Sequence, residues 1–199
     1  MARPRAFDID EALDQAMLVF WRVGYEAASL DDLTAAMGIN RPSLYAAFGS
    51  KEELFRRALE RYSVGPSAYE AEALALPRAR DVAEALLRGG MRLQTGEHTP
   101  HGCLAVFAAH SGPDSRSTVG SALVDARVAG ERALLERFER ARDEGDLPSD
   151  ADPARLADFV RALVYGMTVK AANGATREEL DRVIDLAMTV WDEASSPKA

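Results

Sequence analysis

Cysteine occurs once in this chain of 199 residues and histidine three times, and positive charge is in deficit, with 24 Lys and Arg against 32 Asp and Glu. A single cysteine excludes an intramolecular disulfide framework and suits a reducing compartment. No apolar run approaches the roughly 20 residues that a membrane-spanning helix requires, so no membrane partner is expected. The opening segment MARPRAFDID carries charge with no apolar stretch behind it. It does not read as a secretory signal, and a cytoplasmic protein is expected. Strand signals are nearly absent. The net charge of −8 argues against a nonspecific nucleic-acid coat protein.

What the sequence does contain is helix punctuation. Apolar residues make up 47% and charged residues 28%, the balance of a globular chain with a full core. Asp8 with Glu11 opens a first helix whose Leu13, Ala16, Met17 and Phe20 recur at helical spacing until Gly24. Ser29 with Asp32 opens a second, placing Leu30, Leu33, Ala36 and Met37 on one face. Gly38 ends it by taking the left-handed conformation, and Ile39 turns inward. Asn40 caps a third helix running to Phe48, with Pro42 in its first turn, where a missing N–H costs little. Ser50 with Glu53 boxes a fourth, whose inner face carries Leu54, Phe55, Ala58, Leu59 and Tyr62. The stretch from Leu30 to Lys51, LDDLTAAMGINRPSLYAAFGSK, is thus two short helices meeting at a glycine turn: the helix-turn-helix pattern, whose second helix enters the DNA major groove.

SVGP at residues 63–66 breaks this pattern. Helical signals resume at Tyr69–Leu76 and Asp81–Leu93. Gly89-Gly90 within the latter lacks the strand and spacing of a phosphate loop, and permits close packing or a bend. Loops are expected at 95–100 and 111–118, and a long helix at about 120–142 with Arg132–Glu136 and Glu136–Arg140 pairs. Asp152-Pro153 and Thr176 with Glu179 start the last two helices, both strongly apolar on one face. The expected fold is all-α, with about nine helices. A three-helix DNA-binding domain at 1–50 is joined by a helix at 51–62 to a helical domain at 63–199. On pattern alone the two terminal helices either close the core or pair with a second copy.

Phe20, Gly24, Tyr25, Ser29, Leu33, Ala36, Gly38, Ile39, Leu44, Tyr45, Phe48, Lys51, Leu54 and Phe55, with the segment LYAAFGSKEELF, resemble the TetR family of transcriptional regulators over residues 8–62. The resemblance implies a DNA-binding regulator and not an enzyme. It implies a helical second part that binds a small-molecule effector, and a homodimer formed through the helices at Asp152–Asn173 and Thr176–Trp191. The DNA partner would be a palindromic operator. The residues this singles out for DNA are Ser29, Asn40, Arg41, Ser43, Leu44, Tyr45 and Lys51. Arg41 and Ser43 are placed to read base edges, arginine suiting guanine O6 and N7. Tyr45 and Lys51 match phosphate-contacting positions, and Ser29 resembles another. Asn40 caps, touches DNA, or does both, while Leu44 and Phe48 also read as hydrophobic anchors. Arg3 and Arg5 lie in an arm that either reaches DNA or solubilises the chain.

Nothing after Tyr62 names an effector. Apolar positions between Leu86 and Met167 are candidates for lining a cavity. In HTPHGCLAVF, residues 98–107, the spacing of His98, His101 and Cys103 matches no standard zinc pattern, and neither metal nor cofactor is expected. Cys103 stands near an expected helix N-terminus, where a thiol pKa falls, and is a candidate oxidant or electrophile sensor with Val106 and Phe107 beside it. The other reading of Cys103 is an apolar filler. A thiol enzyme built on Cys103 lacks any visible orienting Asp or Asn, oxyanion motif or cofactor loop. A helical protein-binding adaptor is the remaining class, and His110 has no role visible in the sequence.

Overall fold

In the computed structural model residues 7–97, 99–106 and 118–196 are described. Among them the secondary structure is helical: α1 (Ile9–Ala27), α2 (Leu30–Met37), α3 (Arg41–Phe48), α4 (Lys51–Val64), α5 (Tyr69–Leu74), α6 (Ala79–Gln94), α7 (Thr118–Asp143), α8 (Pro153–Ala172) and α9 (Arg177–Ala194). The chain packs as two compact units, Met1–Gly65 with Cys103–Asp125 and Pro66–Gly102 with Ala126–Ala199.

The starts of these helices follow local chemistry. Asp8 accepts the N–H groups of Asp10 and Glu11 at 2.8 and 3.1 Å. Ser29 and Asp32 form a reciprocal capping box, as do Thr176 and Glu179, and Asp152 caps α8 with Pro153 behind it. Three expectations need correction. The first helix does not end at Gly24 but kinks there, at φ 77° and ψ 172°, and resumes to Ala27. Ala36 is exposed, and its expected place on the inner face of α2 belongs to Thr34, whose hydroxyl donates to the Leu30 carbonyl at 2.8 Å. Ser50 caps α4 through the Glu53 N–H, but the Glu53 carboxylate does not return the bond. It takes Arg56 at 2.6 and 2.9 Å, a charge-assisted pair that outcompetes a neutral N–H.

In the first unit α1 packs against α2 and α4. Its core is aromatic: Phe55 meets Phe20 and Tyr25 edge-on at 5.0 and 5.2 Å between centroids, and Trp21 meets Tyr62 at 4.8 Å. Edge-to-face pairs of this kind add about 0.5–1.5 kcal/mol each beyond area burial. Arg61 ties α4 to α1 through a two-pronged pair with Asp14 at 2.8 and 2.9 Å.

In the second unit α6 lies against α5, α8 and α9. The core there includes Leu86, Leu87, Phe138, Val160, Met167, Ile184 and Trp191. Leu86 and Met167, candidates for a cavity lining, are thus core residues. Arg88 on α6 reaches Asp181 and Asp185 on α9 at 2.7 and 3.0 Å, and Arg80 reaches Asp192 at 2.7 Å. Buried Arg137 donates to the carbonyls of Leu76 and Pro77, satisfying a turn that has no helical partner of its own. Gly89 allows a close approach: a Cβ there would stand 2.2 Å from the Tyr69 ring of α5.

The Gly89 contact involves the base of the ring as well as its edge, so Tyr69 cannot swing away cheaply. Gly89→Ala should therefore destabilise by about 1–3 kcal/mol despite the better helix propensity of alanine. The expected fall in Tm is roughly 2–10 °C for a chain of this size. Tyr69→Ala in the Gly89→Ala background should recover part of it, read by thermal melts of the four proteins of this double-mutant cycle.

Candidate nucleic-acid interface

Three successive helices begin close together in sequence with hydroxyl or amide caps: Ser29 for α2, Asn40 for α3 and Ser50 for α4. Each start presents N–H groups and the positive end of a helix dipole, which suits phosphate. Gly38 adopts φ 65°, a left-handed turn that closes α2 through bonds from Gly38 and Ile39 N–H to Ala35 and Thr34 carbonyls. It also allows the abrupt change of direction into α3.

Along α3, Leu44 and Phe48 are 0% and 2% exposed, whereas Tyr45 is 47% exposed. Leu44, read both as a candidate DNA contact and as a hydrophobic anchor, is buried and packs as the anchor. Arg41, one turn before Tyr45, shares the outward face with it, and both are exposed. The Arg41 guanidinium is paired with Asp31 of α2, Nε and Nη2 standing 3.2 and 2.8 Å from the same carboxylate oxygen. The Asn40 carboxamide oxygen accepts the Ser43 N–H at 2.9 Å, which leaves its NH2 as the group able to donate to another partner. Ser43 is half-buried.

Ser29 is exposed, and its hydroxyl donates to Asp32 at 2.6 Å while accepting the Asp32 N–H at 3.0 Å. That bonding holds the Asp32 carboxyl below its ordinary range. The Lys51 ammonium lies 4.4 Å from the centroid of the Tyr25 ring, a cation–π seat at the start of α4. Burial, followed by the charge of Glu52 and a hydrogen bond to its carboxylate, pushes the Tyr25 hydroxyl up to about 12. Tyr25 is the residue whose role the sequence did not disclose. It carries Lys51 on its face while its hydroxyl engages Glu52.

Cys103 is half-buried just before a helical stretch that begins at Leu104, Val106 within that stretch is half-buried too, and the Tyr62 hydroxyl donates to the Cys103 sulfur at 3.4 Å. Phe107, His98, His110, Arg3 and Arg5 lie outside the described residues. His101 is exposed. Among the described residues no group of three or more His, Cys, Asp or Glu side chains is arranged to hold a metal, and no helix is long and apolar enough to cross a membrane. A groove of about 390 Å³ runs beside α4, lined by Ser50, Glu52, Glu53, Phe55, Arg56 and Leu59 with Val119 and Ala122 of α7.

The model of the family described as bacterial regulatory proteins, tetR family, matches residues 12–58. The HTH-type transcriptional repressor ComR of Escherichia coli K12 is 35% identical over 195 residues, covering 96% of this chain and 92% of ComR. The chain belongs to the TetR family. The HTH-type transcriptional repressor BdcR of the same organism is 32% identical over 182 residues, 89% of this chain and 86% of BdcR. A cysteine mutant of the TetR family transcriptional regulator CifR, solved in complex with 26bp double-strand operator DNA, superposes with a TM-score of 0.89. It is 44% identical and covers 95% of this chain and all of that one. The matched segment 12–58 contains the glycine turn, α3 and the start of α4, so the TetR assignment and the helix-turn-helix geometry fall on the same residues. This is a TetR-family DNA-binding transcriptional regulator.

The seat of Lys51 has a measurable signature. The folded chain holds the Tyr25 proton to about 12, against an ordinary value of 10.0, so the stabilisation is fully present below pH 10 and is lost as pH rises towards 12. Tyr165, raised to about 12 first by burial and then by Glu131, contributes in the same direction. Tyr25→Phe should flatten the fall in urea midpoint between pH 9 and 11 without abolishing it, and an unchanged slope would show that Tyr25 titrates normally.

Proposed function

We propose that the chain is a homodimeric, sequence-specific repressor released from a palindromic operator by a small-molecule, oxidant or electrophile inducer. The observation that carries the DNA-reading half is the outward face of α3, where Arg41 and Tyr45 are exposed one turn apart while Leu44 and Phe48 anchor the helix from behind. In this reading Arg41 and Ser43 address base edges. Tyr45, Lys51 and Ser29 hold phosphates, with Asn40 contributing through its NH2. Residues 1–50 form the reading head, 51–62 the connecting helix, and 63–199 the effector-binding and dimerising part. ComR and BdcR are named as repressors, which supports repression over activation.

Dimerisation is supported by an apolar stripe on the last two helices. Leu186 and Val190, one turn apart on α9, are 67% and 40% exposed, and on α8 Val169 is 47% exposed while Phe159 and Leu163, one turn apart, are half-buried. Apolar side chains at this spacing are expensive to leave in water and suit a four-helix seam with a second copy. Each protomer then places α3 in successive major grooves. Inducer release requires only that the inducer prefer the dimer geometry that mis-spaces the two heads. The protein works in the cytoplasm and has no catalytic role.

Cys103 is the proposed sensor, with half-buried Val106 three residues on. Its sulfur meets Tyr62 of α4, whose ring packs on Trp21 of α1, so a group added to sulfur presses on the core that seats α2. With a maleimide an S–C bond forms as the C=C π bond opens and the neighbouring carbon takes up the proton the thiol gives up. With hydrogen peroxide the O–O bond breaks, sulfur is oxidised to sulfenic acid and water leaves.

Two outcomes are expected. In a gel shift with the duplex upstream of its own gene, binding should survive excess mixed-sequence DNA and weaken at least ten-fold in Tyr45→Ala and in Lys51→Ala, consistent with about 1.4 kcal/mol or more from each phosphate contact. Indifference to both changes would remove the assignment of these residues. N-ethylmaleimide or hydrogen peroxide should release DNA from the wild type but not from Cys103→Ser; equal release from both would eliminate the thiol as sensor.

A further inference from the structure

The geometry points to Asp31 as a positioning residue that fixes the guanidinium of Arg41 for guanine and keeps it from indiscriminate phosphate binding. This rests on the reading of Arg41 as a base contact and adds the residue that makes that contact selective. Asp31 sits in the first turn of α2, ten residues before Arg41 at the start of α3. An acid in that turn is ordinarily explained by the helix dipole or by capping. Capping is already complete without it, because Ser29 accepts the Asp32 N–H and Asp32 accepts from Ser29 at both its N–H and its hydroxyl. The carboxylate of Asp31 instead faces Arg41.

Which edge it takes decides the consequence. Nε and Nη2 of Arg41 lie 3.2 and 2.8 Å from Oδ1 of Asp31, so the pair uses the inner edge of the guanidinium. A guanidinium has five N–H groups in one plane. With the inner edge engaged, one N–H of Nη2 and both of Nη1 remain, and the fork between Nη1 and Nη2 is the arrangement that meets O6 and N7 of guanine together. Asp31 thus removes rotamer freedom before binding without occupying the reading edge.

Charge works in the same direction. Arg41 and Asp31 side chains are 54% and 79% exposed, so the pair stands in water, where a lone arginine would be drawn to any phosphate. Paired, it carries no net charge, and what remains is directional hydrogen bonding. The two effects oppose one another on different DNAs. Loss of Asp31 should weaken discrimination at one base pair while strengthening attachment to DNA in general.

The full-length chain and its Arg41→Ala and Asp31→Ala variants would each select from a duplex library with a randomised core. Affinity would then be measured by fluorescence anisotropy on the wild-type consensus, on the same duplex with the Arg41-dependent G·C pair changed to A·T, and on mixed-sequence DNA. Arg41→Ala should erase the guanine preference at one position per half-site. Asp31→Ala should keep its melting temperature within about 2 °C, since a surface change of this kind lies within about half a kcal/mol. It should cut the G·C over A·T ratio by up to about five-fold, the range open to an exposed ion pair, and bind mixed-sequence DNA more tightly. A change of charge alone moves both duplexes equally and leaves the ratio untouched. An unchanged ratio in Asp31→Ala, with the preference lost in Arg41→Ala, would overturn the inference and leave Arg41 as reader. A preference surviving Arg41→Ala at every position would overturn the reading of Arg41, and the role of Asp31 with it.

Discussion

Phe55 stands edge-on to both Phe20 and Tyr25, and the arrangement of the first unit depends on that triple contact. The two helices of the turn motif are eight residues each, too short to hold together unaided. Their support comes from α1 and α4, which share this aromatic core. The kink at Gly24 is a condition of it. In an unbroken α1 Tyr25, five residues after Phe20, would lie about 140° round the helix from it. With φ at 77° the chain instead swings Tyr25 into contact with Phe20 and Phe55. The outer face of the same ring then seats Lys51, so one side chain serves both the core and the proposed phosphate contact.

The acidity of the chain takes a different meaning once the ion pairs are placed. In the first unit Asp14 holds Arg61, Glu53 and Glu60 hold Arg56, and Asp31 holds Arg41. Exposed pairs of this kind add little to stability. In the proposed reading they ration free cations over the surface that would meet a polyanion, leaving attachment to oriented groups at helix starts. An acidic DNA-binding protein is then no contradiction, since selectivity improves as undirected attraction is withdrawn.

Sequence reading was strongest where the chemistry is local. The caps at Asp8, Ser29, Asn40, Asp152 and Thr176 act across two or three residues, and the left-handed turn at Gly38 follows from one residue type. Apolar periodicity located the buried faces of the helices, apart from Ala36, where a helix of only two turns leaves the period poorly determined. Contacts between distant side chains carry no period and went unread. Tyr69 lies twenty residues from the glycine it covers, Asp31 ten from Arg41, and Tyr62 forty-one from Cys103. The return bond expected of Glu53 failed for a related reason: Arg56, a second partner within reach, carries a full charge. Leu44 carried two readings, DNA contact and hydrophobic anchor, and its complete burial on α3 favours the anchor.

The chain has two tryptophans, and the division into units gives one to each: Trp21 packs edge-on against Tyr62, and Trp191 lies 5.1 Å from Phe138. Their emission is therefore separable by single replacement, without an attached dye. The Trp21 indole sits one side chain from the Cys103 sulfur, through Tyr62. Chemistry at that sulfur and loosening of the helix-turn-helix core would reach the same fluorophore, while Trp191 serves as an internal reference within the same polypeptide.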